Sequence, residues 1–168
     1  GRGAKHPEAF LKGFKGYLHT DGYAGYHNLP EEITVVGCWA HARRKFDEAV
    51  RSLPKGKAKG SSASQGLTYC NLLFRMEQEI ADKTAEERYE ERLKQAKPVL
   101  DAMFAWANSR TAAPKSALGK ALNYLKEQWP YLTRYLEDGR LELSNNRAER
   151  SIKPFVMGRK NWLFANTA

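Results

Sequence analysis

The chain has 168 residues, 42% of them apolar, and a formal net charge of +9. That suffices for one domain with a real core, with or without an insertion, and is too apolar for a compositionally disordered chain. Runs such as Ile33–Val36 are far too short to span a bilayer, no secretory leader is visible, and Cys38 and Cys70 build no disulfide framework, so the expected setting is a reducing cytoplasm with no membrane partner.

The charge is unevenly spread. Residues 1–60 hold 11 Lys/Arg against 6 Asp/Glu, residues 61–139 hold 11 against 11, and residues 140–168 hold 6 against 2. Two basic ends around a balanced middle suit a polyanion, because each neutralised phosphate releases counterions. A solvated basic surface would look the same on charge alone.

In chain order, residues 8–15 read as a short helix and Tyr17–Thr20 as a brief strand stopped by Asp21-Gly22. Ile33–Gly37 is a β-branched run and reads as a buried strand. Ala40–Arg51 reads as a helix with Phe46, Ala49 and Val50 inward. Residues 52–66 are rich in Pro, Gly, Ser and Lys and read as a mobile loop or linker. The pattern then becomes helical, with Leu67, Cys70, Leu73, Phe74, Glu77 and Ile80 at mostly apolar i, i+3, i+4 spacing. Thr84 with Glu87 forms a capping box that opens a longer helix, which Pro98 should kink or split. Ser116–Trp129 is a third helical pattern, expected to stop at Pro130. A short helix over Tyr131–Leu136, a turn at Asp138-Gly139 and an extended Leu141–Leu143 follow. Ser144 is a candidate N-cap for a helix over Asn145–Lys153, and Phe155–Phe164 is a basic, aromatic tail with some strand character.

Asp21 sits where a strand ends beside an open turn, a place where α/β folds put metal and phosphate chemistry. Taken alone it reads first as an Asp-Gly turn. In the helix reading Asn145, Glu149 and Lys153 share one face, with Asn146 close by and Arg147 and Arg150 flanking. Hard oxygens for a cation amid guanidinium forks for phosphate suit a site holding both. An exposed helix with Glu–Arg pairs would read the same way alone. Cys38 and His41 form a C-x-x-H pair, and His19 and His27 fit no standard zinc spacing with it, so zinc is not expected. His41 with Arg43, Arg44 and Lys45 is expected to face DNA or solvent. Arg159 and Lys160 stand beside Trp162, a pattern for phosphate contact with base stacking.

Three stretches in order, LHTDGYAGYHNL (Leu18–Leu29), VVGCWAHARRKFDEA (Val35–Ala49) and LSNNRAERSIKPFVMGRKNWLFANT (Leu143–Thr167), resemble the IS sixty-six family of bacterial insertion-sequence transposases. The resemblance runs nearly end to end, and the third stretch is its most specific part. It implies an α/β, RNase H-like core, incomplete here and mostly α by residue count, with a large helical insertion. Residues 1–60 would begin the core, 61–139 would be the insertion, and 140–168 would close the core. It also implies a DDE-type polynucleotidyl transferase acting on insertion-sequence ends and target DNA, with no small-molecule substrate. Asp21 would be its second catalytic acid and Glu149 its last, together holding Mg²⁺ or Mn²⁺ in a two-metal site.

The family's first aspartate belongs to an Asp-Glu-Thr stretch well upstream, which this sequence lacks. The chain begins about where the third strand of such a core would end, so it is expected to be inactive by itself. It is also expected to leave an open sheet edge that invites self-association. Asp47, Asp101 and Asp138 are not candidate replacements. Two other readings use the same residues: a non-catalytic nucleic-acid-binding remnant, and a helical protein-interaction module with an apolar patch on residues 61–139.

Overall fold

Two short runs rich in aromatic and β-branched residues form the first strands of the computed structural model, which describes residues 16–20, 33–144, 155–157 and 162–164. Strand β1 is Gly16–His19 and β2 is Ile33–Val36. They run parallel, with Gly16 opposite Ile33 and His19 opposite Val36. The Thr20 N–H then donates to the Val36 carbonyl at 2.8 Å, so the ladder continues to the residue before Asp21. Strand β3 (Phe155–Met157) pairs antiparallel with β1, and β4 (Trp162–Phe164) antiparallel with β3. The order is β2-β1-β3-β4, so β1 has a neighbour on each side and β2 and β4 are the outer strands. The aromatic tail thus carries two strands, and Leu18 and Val36 are fully buried. The expected helices over 8–15 and 145–153 lie outside the described residues.

The strands belong to one compact unit, residues 1–38 with 144–168, and the helices to a second, residues 39–143. In the second unit, helix α1 (Trp39–Arg51) buries Trp39, Ala42, Phe46 and Ala49, one stripe at i, i+3, i+7 and i+10. Helix α2 (Ser62–Glu79) starts earlier than the composition of residues 52–66 suggests. The reason is a cap: Ser61 accepts from the Ser64 N–H at 3.1 Å and donates to the Ala58 carbonyl at 2.6 Å. A Cβ at Gly66 would lie 2.3 Å from the Phe46 ring, so glycine is what lets α1 and α2 pack this closely.

Helix α3 (Ala85–Glu91) opens on the expected capping box, with both reciprocal bonds between Thr84 and Glu87 formed at 3.2 Å. Those two bonds also hold the exposed Glu87 carboxyl below its ordinary range. A π-helical turn, Arg92–Ala96, leads into α4 (Lys97–Asn108). The Lys97 N–H bonds back to the Arg92 carbonyl, so the change of register lies just upstream of Pro98, near the start of α4. Such a turn accommodates a residue that has no N–H to give and a ring that crowds the preceding turn.

Helix α5 (Ala117–Leu132) is capped by Ser116 and does not stop at Pro130. It runs two residues further and passes into a 3₁₀ helix, Thr133–Glu137. Burial of Leu132 and Tyr135 outweighs the one backbone bond that the proline removes. The Trp39 indole N–H donates to the Leu132 carbonyl at 2.9 Å in the same place. Leu141–Leu143 forms no ladder; it is an irregular segment with Leu141 and Leu143 buried.

Candidate functional site

Of the sequence-predicted site residues, Asp21, Asn145, Asn146, Arg147, Glu149, Arg150, Lys153, Arg159 and Lys160 lie outside the described residues. What is described is the structure leading up to each motif. Strand β1 and its one-residue extension end immediately before Asp21. The irregular segment through Leu143 ends two residues before Asn145.

The α1 cations do not share one face. Arg43 and Lys45 flank the buried stripe on opposite sides, about 200° apart at 100° per residue. The Arg43 guanidinium lies 5.1 Å from the Phe74 ring centroid on α2, and the Lys45 ammonium 5.2 Å from that of Tyr124 on α5. Both stems therefore cover apolar surface while their charged ends remain at the periphery. Arg44 is exposed, half a turn from the core stripe. His41 is half-buried, and Cys38 is buried and in no disulfide. Among the described residues, no three His, Cys, Asp or Glu side chains cluster as metal ligands.

Between α1 and α2 the chain makes two successive turns, closed by Lys57 N–H to the Pro54 carbonyl at 3.0 Å and Ser61 N–H to the Ala58 carbonyl at 3.1 Å. Gly56 and Gly60 take φ of +83° and +75° there. The turns expose Lys55, Lys57 and Lys59 in a stretch without any acidic residue. Its Lys/Gly/Ser-rich composition marks this stretch only as a linker.

The other feature that sequence reasoning missed is a buried arginine. Arg92 is 2% exposed. Its Nε and Nη2 donate to the two Glu77 carboxylate oxygens at 2.9 and 2.7 Å. Nη1 donates to the carbonyls of Tyr135 (2.9 Å) and Asp138 (3.1 Å), and Nη2 to that of Leu141 (2.8 Å). These bonds occupy all five of its N–H donors, and the guanidinium lies 5.0 Å from the Tyr135 ring centroid. Arg88 adds a bond from Nε to the Gly139 carbonyl at 2.9 Å. The one signal in the sequence was Glu77, a carboxylate at an otherwise apolar stripe position.

The segment gripped by these arginines is polar in its own right. Arg140 donates from its backbone N–H and its guanidinium to Asp138 at 2.8 to 3.2 Å. Burial raises the Asp138 carboxyl, but the Arg140 bonds and the charges of Arg140 and Arg92 outweigh it and hold the group below its ordinary range. Burial, then the Glu77 charge, pushes the Tyr135 phenol well up. A groove of about 410 Å³ is lined by Leu93, Leu100, Trp129 and Leu136 together with charged Lys97, Asp101 and Glu137. No helix among the described residues is long and apolar enough to cross a membrane.

The family described as "Transposase IS66 family" matches residues 1–168. Uncharacterized protein y4hP of Sinorhizobium fredii (strain NBRC 101917 / NGR234) is 33% identical over 99% of this chain and 33% of its own length. Uncharacterized protein y4qI of the same strain is 34% identical over 99% of this chain and 32% of its own length. The chain spans about a third of the length of these curated relatives. No solved structure matches it. With a family match along its whole length, the chain belongs to the IS66 family of transposases.

Proposed function

We propose that this chain is part of the catalytic region of a DNA transposase that cleaves and transfers strands during movement of an insertion sequence. The observation that carries the reading is the family match over all 168 residues. The activity is proposed for the longer protein, since the relatives are about three times the length of this chain. The fold we assign is an RNase H-like core interrupted by the helical unit. Its support is the parallel β1–β2 pair, with β1 interior in the sheet and ending just before Asp21. Carboxylates at the ends of interior strands are well placed for phosphate chemistry.

Asp21 and Glu149 are the carboxylates we assign to the metal site. The donor set is all hard oxygen, which suits Mg²⁺ or Mn²⁺ rather than zinc. A divalent cation held there supplies charge neutralisation at a phosphate under in-line attack. Asn145, Asn146, Arg147, Arg150 and Lys153 position phosphates or the helix that carries Glu149. Arg159 and Lys160 contact the DNA backbone beside Trp162. On the helical unit, exposed Arg44 is the most direct backbone contact, with His41, Arg43 and Lys45 beside it and Lys55, Lys57 and Lys59 on the adjoining turns. Self-association, where it occurs, is assigned to the outer strands β2 and β4.

The test uses the full-length protein with labelled DNA carrying the element's ends, in Mn²⁺. Asp21→Asn and Glu149→Gln should each abolish strand cleavage while leaving DNA affinity intact. Cleavage at the parental rate by either variant would remove that residue from the site. DNA binding by the parent protein with no metal-dependent cleavage would favour the non-catalytic remnant instead.

A further inference from the structure

We propose that the outer face of α3, the π-helical turn and α4 pairs with the same face of a second copy of this chain, in an antiparallel two-fold contact centred between Lys97 and Asp101. The inference uses the helical unit alone. It is independent of the proposed DNA chemistry and of the sheet edges.

Among the described residues, the large apolar side chains left exposed are Tyr89, Leu93 and Phe104, at 39%, 39% and 37%. All three stand on one continuous run, from α3 through the π turn into α4. Scattered apolar side chains on a surface need no partner, but a row of them does. Tyr89, Leu93, Lys97 and Asp101 line one groove at four-residue spacing. On an α-helix that spacing drifts around the axis by about 40° at each step. The π turn, Arg92–Ala96, has more residues per turn and takes back part of the drift, which keeps the row along the groove. Phe104 extends the row, stacked on groove-lining Trp129 with ring centroids 5.0 Å apart. Such a row beside a groove suits a partner helix.

The charges identify the partner. In chain order the row reads apolar Leu93, basic Lys97, acidic Asp101, apolar Phe104. Leu93 lies four residues before Lys97, and Phe104 three after Asp101, so the reversed row matches the original in spacing and opposes it in charge. A two-fold axis midway sets Lys97 of each copy against Asp101 of the other, and Leu93 beside the other's Phe104. That is the self-complementarity an isologous contact requires. A partner of uniform sign would meet one of the two charges unfavourably. Within one helix the pair contributes little. Lys97 Nζ lies 3.0 Å from Asp101 Oδ2, but the side chains are 54% and 68% exposed, and basic before acidic is the weaker order on a helix. Glu137, the remaining charged group lining the groove, is carried by the 3₁₀ helix and lies off this row.

The experiment measures self-association of the full-length protein by sedimentation velocity over a range of concentrations. It compares the parent, Lys97→Asp, Asp101→Lys, and an equimolar mixture of the two variants, with circular dichroism to check that each keeps the parent's helix content. Each variant alone sets like charges against each other across the axis and should weaken association at least about tenfold. The mixture should recover to within about threefold of the parent, because opposite charges then meet across the axis. The charges inside each chain stay alike in the mixture, so an ion pair within one helix cannot produce that recovery. Leu93→Ser, at an exposed position, should also weaken association without loss of helix. A parent that stays monomeric, variants that associate as the parent does, or a mixture no tighter than its components would overturn the proposal.

Discussion

The backbone N–H of Trp39 donates to the carbonyl of Leu143 at 3.0 Å, so the residue that opens the helical unit and the residue that closes it are direct neighbours. The helical unit thus begins and ends at one point. In the sequence, strand β2 precedes it and the motif that contains Glu149 follows it.

Trp39 is the first place to test this closure. Its indole N–H meets the Leu132 carbonyl at 2.9 Å, and its ring meets Trp129 edge-on at 6.0 Å. Trp39→Phe keeps an aromatic ring and strands a buried carbonyl. The expected cost is about 1–3 kcal/mol, read as a lower denaturant midpoint at unchanged m-value.

Two glycines should respond differently to substitution. A Cβ at Gly139 would lie 1.7 Å from the Ala85 carbonyl oxygen, a backbone atom that cannot swing away. Gly139→Ala should cost about 1–3 kcal/mol. Gly56 has open space around it and φ of +83°. Gly56→Asn should cost less than about 1 kcal/mol, because asparagine visits that conformation readily. Thermal unfolding of the two variants side by side checks the contrast.

The thiols should be silent in the folded protein. Burial pushes the Cys70 thiol up to about 12, against a smaller opposing effect from Arg43. Cys38 is buried as well. At pH 8, alkylation of both should follow global unfolding rather than local exposure. The raised Cys70 value also has a sign: above about pH 9 the unfolded chain gives up this proton and the folded chain does not. Its contribution should therefore reduce stability progressively between pH 9 and about 12.

On the acid side the sign reverses. The Asp138 carboxyl is held below its ordinary range, so its stabilising contribution is present above the ordinary carboxylate value and lost as pH falls through the folded value, below about pH 4. Asp138→Asn can still accept from the Arg140 N–H. Acid unfolding of that variant should show a shallower pH dependence in this window, with its loss of stability largest at pH 7 and shrinking as the pH falls.

DNA affinity offers the test of the double turn. Charge reversal at Lys55, Lys57 and Lys59 together should weaken binding across all sequences. It should lower the slope of log K against log salt by about 0.9 for each phosphate that is no longer neutralised. An unchanged slope would confine DNA binding to other surfaces.

Local signals in the sequence proved readable. Thr84 and Glu87 stand three residues apart, and the capping box they announce is formed. The limits of β1 and β2 fall within a residue of the strands read at Tyr17–Thr20 and Ile33–Gly37. Rules about single residues failed where packing opposed them. Pro130 did not stop α5, because Leu132 and Tyr135 beyond it are buried. Non-local features left little trace. The Arg92 bonds reach 15 to 49 residues along the chain, and β3 finds β1 across more than a hundred. Arg43, Arg44 and Lys45 form one cluster in sequence but point three ways on a helix, a consequence of 100° per residue that a charge count conceals. The family-level assignment was legible because its motifs lie in the strand ends and the final basic stretch, where specific residues and not periodicity carry the information.

The most direct test of the central claim is anomalous scattering from crystals of the full-length protein soaked in Mn²⁺. The account predicts Mn²⁺ bound by the carboxylates of Asp21 and Glu149, with those groups within about 4–8 Å of each other, as ions roughly 3.5–4 Å apart require. Carboxylates farther apart than one ion pair can bridge, with Mn²⁺ bound elsewhere or not at all, would contradict it.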